Sequence, residues 1–184
     1  YRTPHFHRDI EIIWVLEGGL EIKSGSTLYT VYEGQMIIIN SKQQHELLPI
    51  GKNCTTLVAL VSPDIVDKDI PMFENICFAE LYVDVVPEEI YMNIKKMMLK
   101  ATEVYLKKPE FYQLFCRSSM QLFIYEMMTY LPYRHLSNGE GLETERNSAR
   151  LNRLIRYVDE NYMKNIKLSD FAKQEGRSLT HLSH

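Results

Sequence analysis

The sequence predicts an α+β chain: a β-barrel over 1–84, an antiparallel helix pair over 85–131, and the start of an all-α helix-turn-helix domain over 149–184. Three observations predict it. Up to about Asp84, short apolar runs alternate with Gly- and Asn-bearing turn signals. From Pro87 to Leu131, apolar residues recur at helical spacing instead. A polar stretch, 132–148, then separates both from a last helical pattern.

The first zone divides into Ile10–Leu16, Leu28–Val31, Gln35–Ile39 and Thr55–Val61. The expected breaks are Glu17-Gly18-Gly19, Ser24-Gly25-Ser26, Glu33-Gly34 and Ile50-Gly51-Lys52-Asn53, with Gly25-Ser26 as a hairpin tip. Short strands at this spacing belong to a barrel or sandwich, not to a parallel α/β sheet. In the second zone Pro87-Glu88-Glu89 is a helix start, because proline suits the first turn and acids suit the positive dipole end. Ile90, Ile94, Met97, Met98, Ala101 and Val104 follow as one stripe, and Lys107-Lys108-Pro109 stops it. Phe111, Leu114, Phe115, Leu122, Tyr125 and Met128 mark the second helix. Its stripe is broad enough for one face on the barrel and another on a partner.

Composition narrows the function. With 45% hydrophobic residues in 184, the chain can bury a real core. A net charge of −3 argues against most of it being a nucleic-acid surface, which needs a basic excess. Cys54, Cys77 and Cys116 are odd in number and widely spaced, so they offer neither a disulfide framework nor a metal clip, and a reducing cytoplasm is expected. No apolar run is long enough to span a membrane, and no secretory signal is present. The chain begins at Tyr1 without a methionine, which is expected of a piece of a longer protein.

At the C-terminal end, Leu151, Leu154, Ile155 and Val158 repeat at helical spacing, and Asn165 breaks the pattern. A short helix at Leu168–Glu175 comes next, then Gly176, then Ser178 as the N-cap of a further helix. Ala172 supplies the small residue where two helices touch, and Gly176 supplies a turn that tolerates positive φ. Phe171, Leu179 and Leu182 are the anchors. This stretch, with Leu168, Phe171, Ala172, Ser178 and Leu182 in place, resembles the first half of the DNA-binding domain of AraC-family transcription regulators. Lys167 stands where that family often has a capping Ser or Thr. The family domain continues well past the position of His184, so the resemblance implies a truncated domain. It also implies that Ser178, Thr180, His181 and His184 face the major groove of operator DNA in the full-length protein.

At the N-terminal end, His5-x-His7-x-x-x-Glu11 leads to Gly18, and Gly34 leads to Asn40 and His45. On a strand His5, His7 and Glu11 share one face, and His45 can reach them from a neighbour. Three imidazoles and a carboxylate are competent to hold Zn, Ni, Fe or Mn. These segments resemble the two cupin motifs, with Asn40 and Lys42 replacing the usual Pro and Gly of the second. Cupin enzymes leave coordination positions open for substrate at such a site. AraC-type sensor domains, in contrast, bind a small effector such as a sugar or aromatic acid, generally without metal. The cluster is therefore either a divalent-metal site or effector-pocket lining, with Ile13 beside Glu11 on the same face. Trp14 falls on the opposite face, toward the helices.

Together the resemblances imply a transcription regulator, not an enzyme, in which this chain is the sensing and dimerising part. Its partners would be operator DNA, a small-molecule effector and a second copy bound through helix 111–131. The alternative is a metal-dependent cupin isomerase or dioxygenase. That reading accounts for the four ligands but leaves the C-terminal motif without a role.

Overall fold

The computed structural model describes residues 2–66, 68–137, 153–154, 157–158, 161, 167–174 and 176. The chain forms two compact units, Tyr1–Gly141 and Leu142–His184.

In the first unit, β1 (Arg2–His5), β2 (Ile10–Ser24), β3 (Thr27–Tyr32), β4 (Met36–Ile39) and β5 (His45–Val61) make one antiparallel sheet. β2 is its spine. β5 pairs along one side of it, while β4 and β3 share the other, against its first and second halves. β1 lies outside β5, with His5 opposite His45. The order is β1-β5-β2-β3, and among the described residues no ladder joins β1 back to β3 or β4. The expected barrel is therefore an open sheet. Two long strands take most of the pairing, and among the described residues no ladder bridges the outer edges.

Those long strands also correct the turn assignments. Gly25 (φ 59) does form the two-residue tip between Ser24 and Thr27, and Gly34 (φ 84) turns β3 into β4. Glu17-Gly18-Gly19 does not reverse the chain. The β2–β5 register slips between Val15 and Glu17 and again between Gly18 and Gly19, which is a bulged bend inside a continuous strand. A Cβ at Gly18 would sit 2.1 Å from the carbonyl oxygen of Asn53, so the glycine is there for close backbone approach. β5 likewise runs straight through Ile50–Asn53.

Residues Ile10 to Val15 are buried on both faces of β2. Glu11, Ile13 and Val15 share one face with Ile37 and Ile39 of β4, and Ile12 and Trp14 share the other with Ile38 and Met36. The second face is covered by α1 (Glu88–Lys107), whose Lys95 lies over the Trp14 ring. α1 buries Ile94, Met98 and Ala101, as its stripe predicts, and stops at Lys108, which takes a left-handed conformation. α2 (Tyr112–Tyr130) returns antiparallel: Tyr105 stacks near Tyr112, and the Cys116 thiol points to the Ala101 carbonyl. Its inner face is Ser119, Phe123, Ile124 and Met127. Phe111, Leu114, Phe115, Leu122 and Tyr125, expected as its stripe, point outward and are exposed. Apolar and polar residues are interspersed around α2, so periodicity alone does not separate its two faces.

The expected linker 132–148 also needs correction. Tyr133–His135 forms a strand, β7, antiparallel to β6 (Ile76–Phe78). Its three side chains are largely exposed, although the Tyr133 ring meets Phe78 edge to face, so no buried alternation marks it in the sequence.

In the second unit, residues 153–154, 157–158 and 161 are helical, and α3 spans Leu168–Gln174. Phe171 and Ala172 are buried, Tyr157 packs on Phe171, and Gly176 takes φ 65. Ser178, Thr180, His181 and His184 lie outside the described residues, as does the helix they were expected to open. No helix among the described residues is long and apolar enough to cross a membrane.

Candidate functional site

His5, His7, Glu11 and His45 converge: one ligand atom from each lies within 4.8 Å of all the others. They do so differently from the single strand that their spacing suggests. β1 ends at His5 and β2 begins at Ile10, so His7 sits in the connector between them. That connector is pinned to the turn after β4. The Lys42 N–H donates to the His7 carbonyl (2.8 Å), and the Ser41 hydroxyl donates to the Arg8 carbonyl (2.6 Å). Lys42 makes this contact with φ at 61, in the left-handed region, where the cupin pattern has glycine. His45 opens β5 directly opposite His5, with their rings 4.3 Å apart. Glu11 comes from the spine strand, paired with both Ile39 and Leu60.

The burial is uneven. Glu11 and the His45 side chain are fully enclosed, whereas the His7 side chain keeps 22% of its surface in water. One carboxylate oxygen, Glu11 Oε2, lies 2.8 Å from His45 Nε2 and 3.0 Å from His7 Nε2. Burial pushes the Glu11 carboxyl upward, but the hydrogen bonds to His45 and His7 outweigh it and hold the group down at about 2. The bond to Glu11 raises the His7 pKa against the opposing effect of burial.

The other ring nitrogens fix the chemistry. His7 Nδ1 lies 2.8 Å from the Asp9 carbonyl and His45 Nδ1 lies 2.9 Å from the Gln43 carbonyl. A carbonyl only accepts, so each Nδ1 carries a proton. In a neutral ring, Nε2 is then a lone pair aimed at the carboxylate. Two lone pairs and an anionic oxygen at hydrogen-bond distance require positive charge among them, either an imidazolium proton or a cation. Backbone carbonyls that orient ring nitrogens are also the usual supporting shell of metal-bound histidine. The separations of 2.8 and 3.0 Å fall a few tenths of an ångström short of the ligand–ligand edge of about 3.4 Å around a tetrahedral ion with bonds of about 2.1 Å, so small ring shifts would admit one. The residues present thus suit a divalent ion.

Ile13 follows Glu11 on the same face but is fully enclosed in the core, with Ile37 as its β4 partner. Two residues with a part in the site, Asn40 and Gln43, carry neither an imidazole nor a carboxylate. Asn40 is buried and bonded to Gln43, whose carbonyl receives His45. The available signal was that Asn40 replaces a motif proline in front of the candidate ligand His45.

No family model matches the sequence, and none of the curated proteins matches it. Among solved structures the chain is similar to ToxT from Vibrio cholerae strain SCE256. For an apo variant of that protein the TM-score is 0.46 at 9% identity, covering 99% of this chain and 67% of that one. For the wild-type protein with unsaturated fatty acid bound, the TM-score is 0.45 at 10% identity, covering 99% and 66%. The chain thus spans about two thirds of the length of these neighbours.

Proposed function

We propose that this chain is the sensing and dimerising part of a cytoplasmic, DNA-binding transcription regulator of the AraC type, and that its sensing site is the His5–His7–Glu11–His45 cluster. The observation that carries the reading is the pairing of two features on one chain. A buried, partly solvent-reachable polar cluster sits in the first unit, and the second unit holds the Leu168–Gln174 helix followed by Gly176 at positive φ, the start that a helix-turn-helix needs. His5, His7, Glu11 and His45 would hold a divalent ion, which supplies positive charge and open coordination positions to a small effector. Differential affinity of ligand for two arrangements of the regulator is what would alter its grip on operator DNA. Ser178, Thr180, His181 and His184 are the proposed DNA contacts. A second copy would bind through α2, whose outward Phe111, Leu114, Phe115, Leu122 and Tyr125 form the supporting stripe.

The test uses the full-length protein. Elemental mass spectrometry should find stoichiometric metal that is lost in His7→Ala, and metal or effector should change operator affinity severalfold. Operator binding indifferent to metal, chelator and a broad metabolite panel would overturn the regulatory reading. The converged four-residue set also favours a second reading, a metal-dependent isomerase or dioxygenase. Substrate turnover by the metal-loaded chain, with no DNA binding by the full-length protein, would select that reading.

A further inference from the structure

β6 is tied to both of the segments that carry ligand histidines. At its C-terminal end the Phe78 N–H donates to Asn40 Oδ1 (2.8 Å), and Asn40 Nδ2 donates to the Phe78 carbonyl (3.1 Å). The Asn40 side chain thus stands in for a neighbouring strand. The same Nδ2 donates to Gln43 Oε1 (3.1 Å), which also accepts the Asn40 N–H (3.0 Å). The Gln43 N–H returns to the Asn40 carbonyl (3.1 Å), and the Gln43 carbonyl receives His45 Nδ1 (2.9 Å). Before the N-terminal end of β6, Glu74 accepts from Arg8 Nε and lies 3.4 Å from Lys42 Nζ. Arg8 follows His7, and Lys42 holds the His7 carbonyl.

β6 passes these ties to β7. Ile76 pairs with His135 and Phe78 with Tyr133, while the Ala79 N–H donates to Pro132 O (2.9 Å) and the Leu136 N–H to Asn75 O (2.7 Å). Among the described residues, β7 is the last element of the first unit before the division at Gly141.

We propose that Asn40 is a positioning residue that sets His45 through Gln43 and transmits occupancy of the His/Glu site to β6 and β7, the strand pair by which the chain leaves the sensing unit. The inference rests on the reading of that cluster as a metal site. An ion bonded at about 2.0–2.1 Å must settle between groups now in direct hydrogen-bond contact, so the rings shift by tenths of an ångström. His45 cannot shift without its Gln43 carbonyl, and Gln43 cannot shift without Asn40. Asn40 is buried, and both polar atoms of its side chain are engaged, so it carries the displacement to Phe78.

Hydrogen exchange read by mass spectrometry on the whole chain, with and without Zn2+ as the only added ligand, tests this. Peptides covering 76–79 and 132–136 should exchange about tenfold more slowly with Zn2+, whereas α1 peptides should not change. Asn40→Asp keeps an acceptor for Phe78 but loses the amide donor. It should bind Zn2+ about tenfold more weakly and, at saturation, show no slowing in β6 and β7 while β2 and β5 stay protected. Gln43→Ala, which spares the Asn40–Phe78 bridge, should show the same loss if Asn40→Asp does not fold. The comparison of the unsubstituted chain with and without Zn2+ needs no variant. Zn2+ binding with unchanged β6–β7 exchange, or a variant that responds as the parent does, overturns the coupling and leaves the metal reading standing. Absence of Zn2+ binding overturns both.

Discussion

Gly18 and Gly25 both hold positive φ, yet they are not equivalent. Around Gly25 a built Cβ meets nothing within 4 Å, so Gly25→Ala costs only the backbone preference, about 1 kcal/mol. At Gly18 the Cβ would overlap the Asn53 carbonyl, so β2 and β5 must separate at their bulge, and Gly18→Ala should cost about 3 kcal/mol or more. Urea denaturation of the two variants checks the ranking, and equal losses would refute the close-approach explanation. The same scale shows how much of the site was legible. His5, His7, Glu11 and His45 stand out because ligand chemistry is confined to a few residue types at a telling spacing. Asn40 and Gln43 do not stand out, because a polar residue in a turn looks alike whether it faces water or braces a histidine. Lys42 lies between these cases. A glycine position in the motif hints at positive φ, and the structure has it, with lysine bearing the strain.

At the scale of elements, α2 has two apolar faces with opposite duties. Phe123, fully enclosed, belongs to the core, and Phe123→Ala should cost about 3–5 kcal/mol. Leu114 is 69% exposed, so Leu114→Glu should leave folding stability within about 0.5 kcal/mol. If α2 forms the dimer contact, the same change should convert dimer to monomer in light scattering. A parent chain that is already monomeric at high concentration would remove α2 from that role. Local pattern located both helices and the stop of the first, because helical spacing and Lys107-Lys108-Pro109 act over a few residues, but it chose the outward face of the second. It divided β2 and β5 too early. A glycine inside a bulged strand and a glycine in a reversal have the same local signature, and only the partner strand decides between them. β7 was invisible for the converse reason: its pairing is long-range and none of its side chains is buried.

For the whole molecule, the four candidate ligands come from β1, the connector after it, β2 and the start of β5, so an ion among them would hold together parts of the sheet that are far apart in sequence. Metal at a hundred times its dissociation constant should stabilise the fold by about 2.7 kcal/mol, which raises Tm by about 5–10 °C in a chain of this size. Chelation should reverse the shift, and His7→Ala should abolish it. An equal shift in His7→Ala would place the stabilising ion elsewhere. Closure of the barrel was not legible in the sequence, since it depends on whether distant edges meet. The open sheet carries one more consequence. From Thr55 to Val61, β5 has β2 on one side and, among the described residues, no strand on the other, and this margin contains neither a charge nor a proline. Nothing in those side chains repels an identical margin on a neighbouring molecule. A margin of this kind is free to take a further strand by backbone pairing alone.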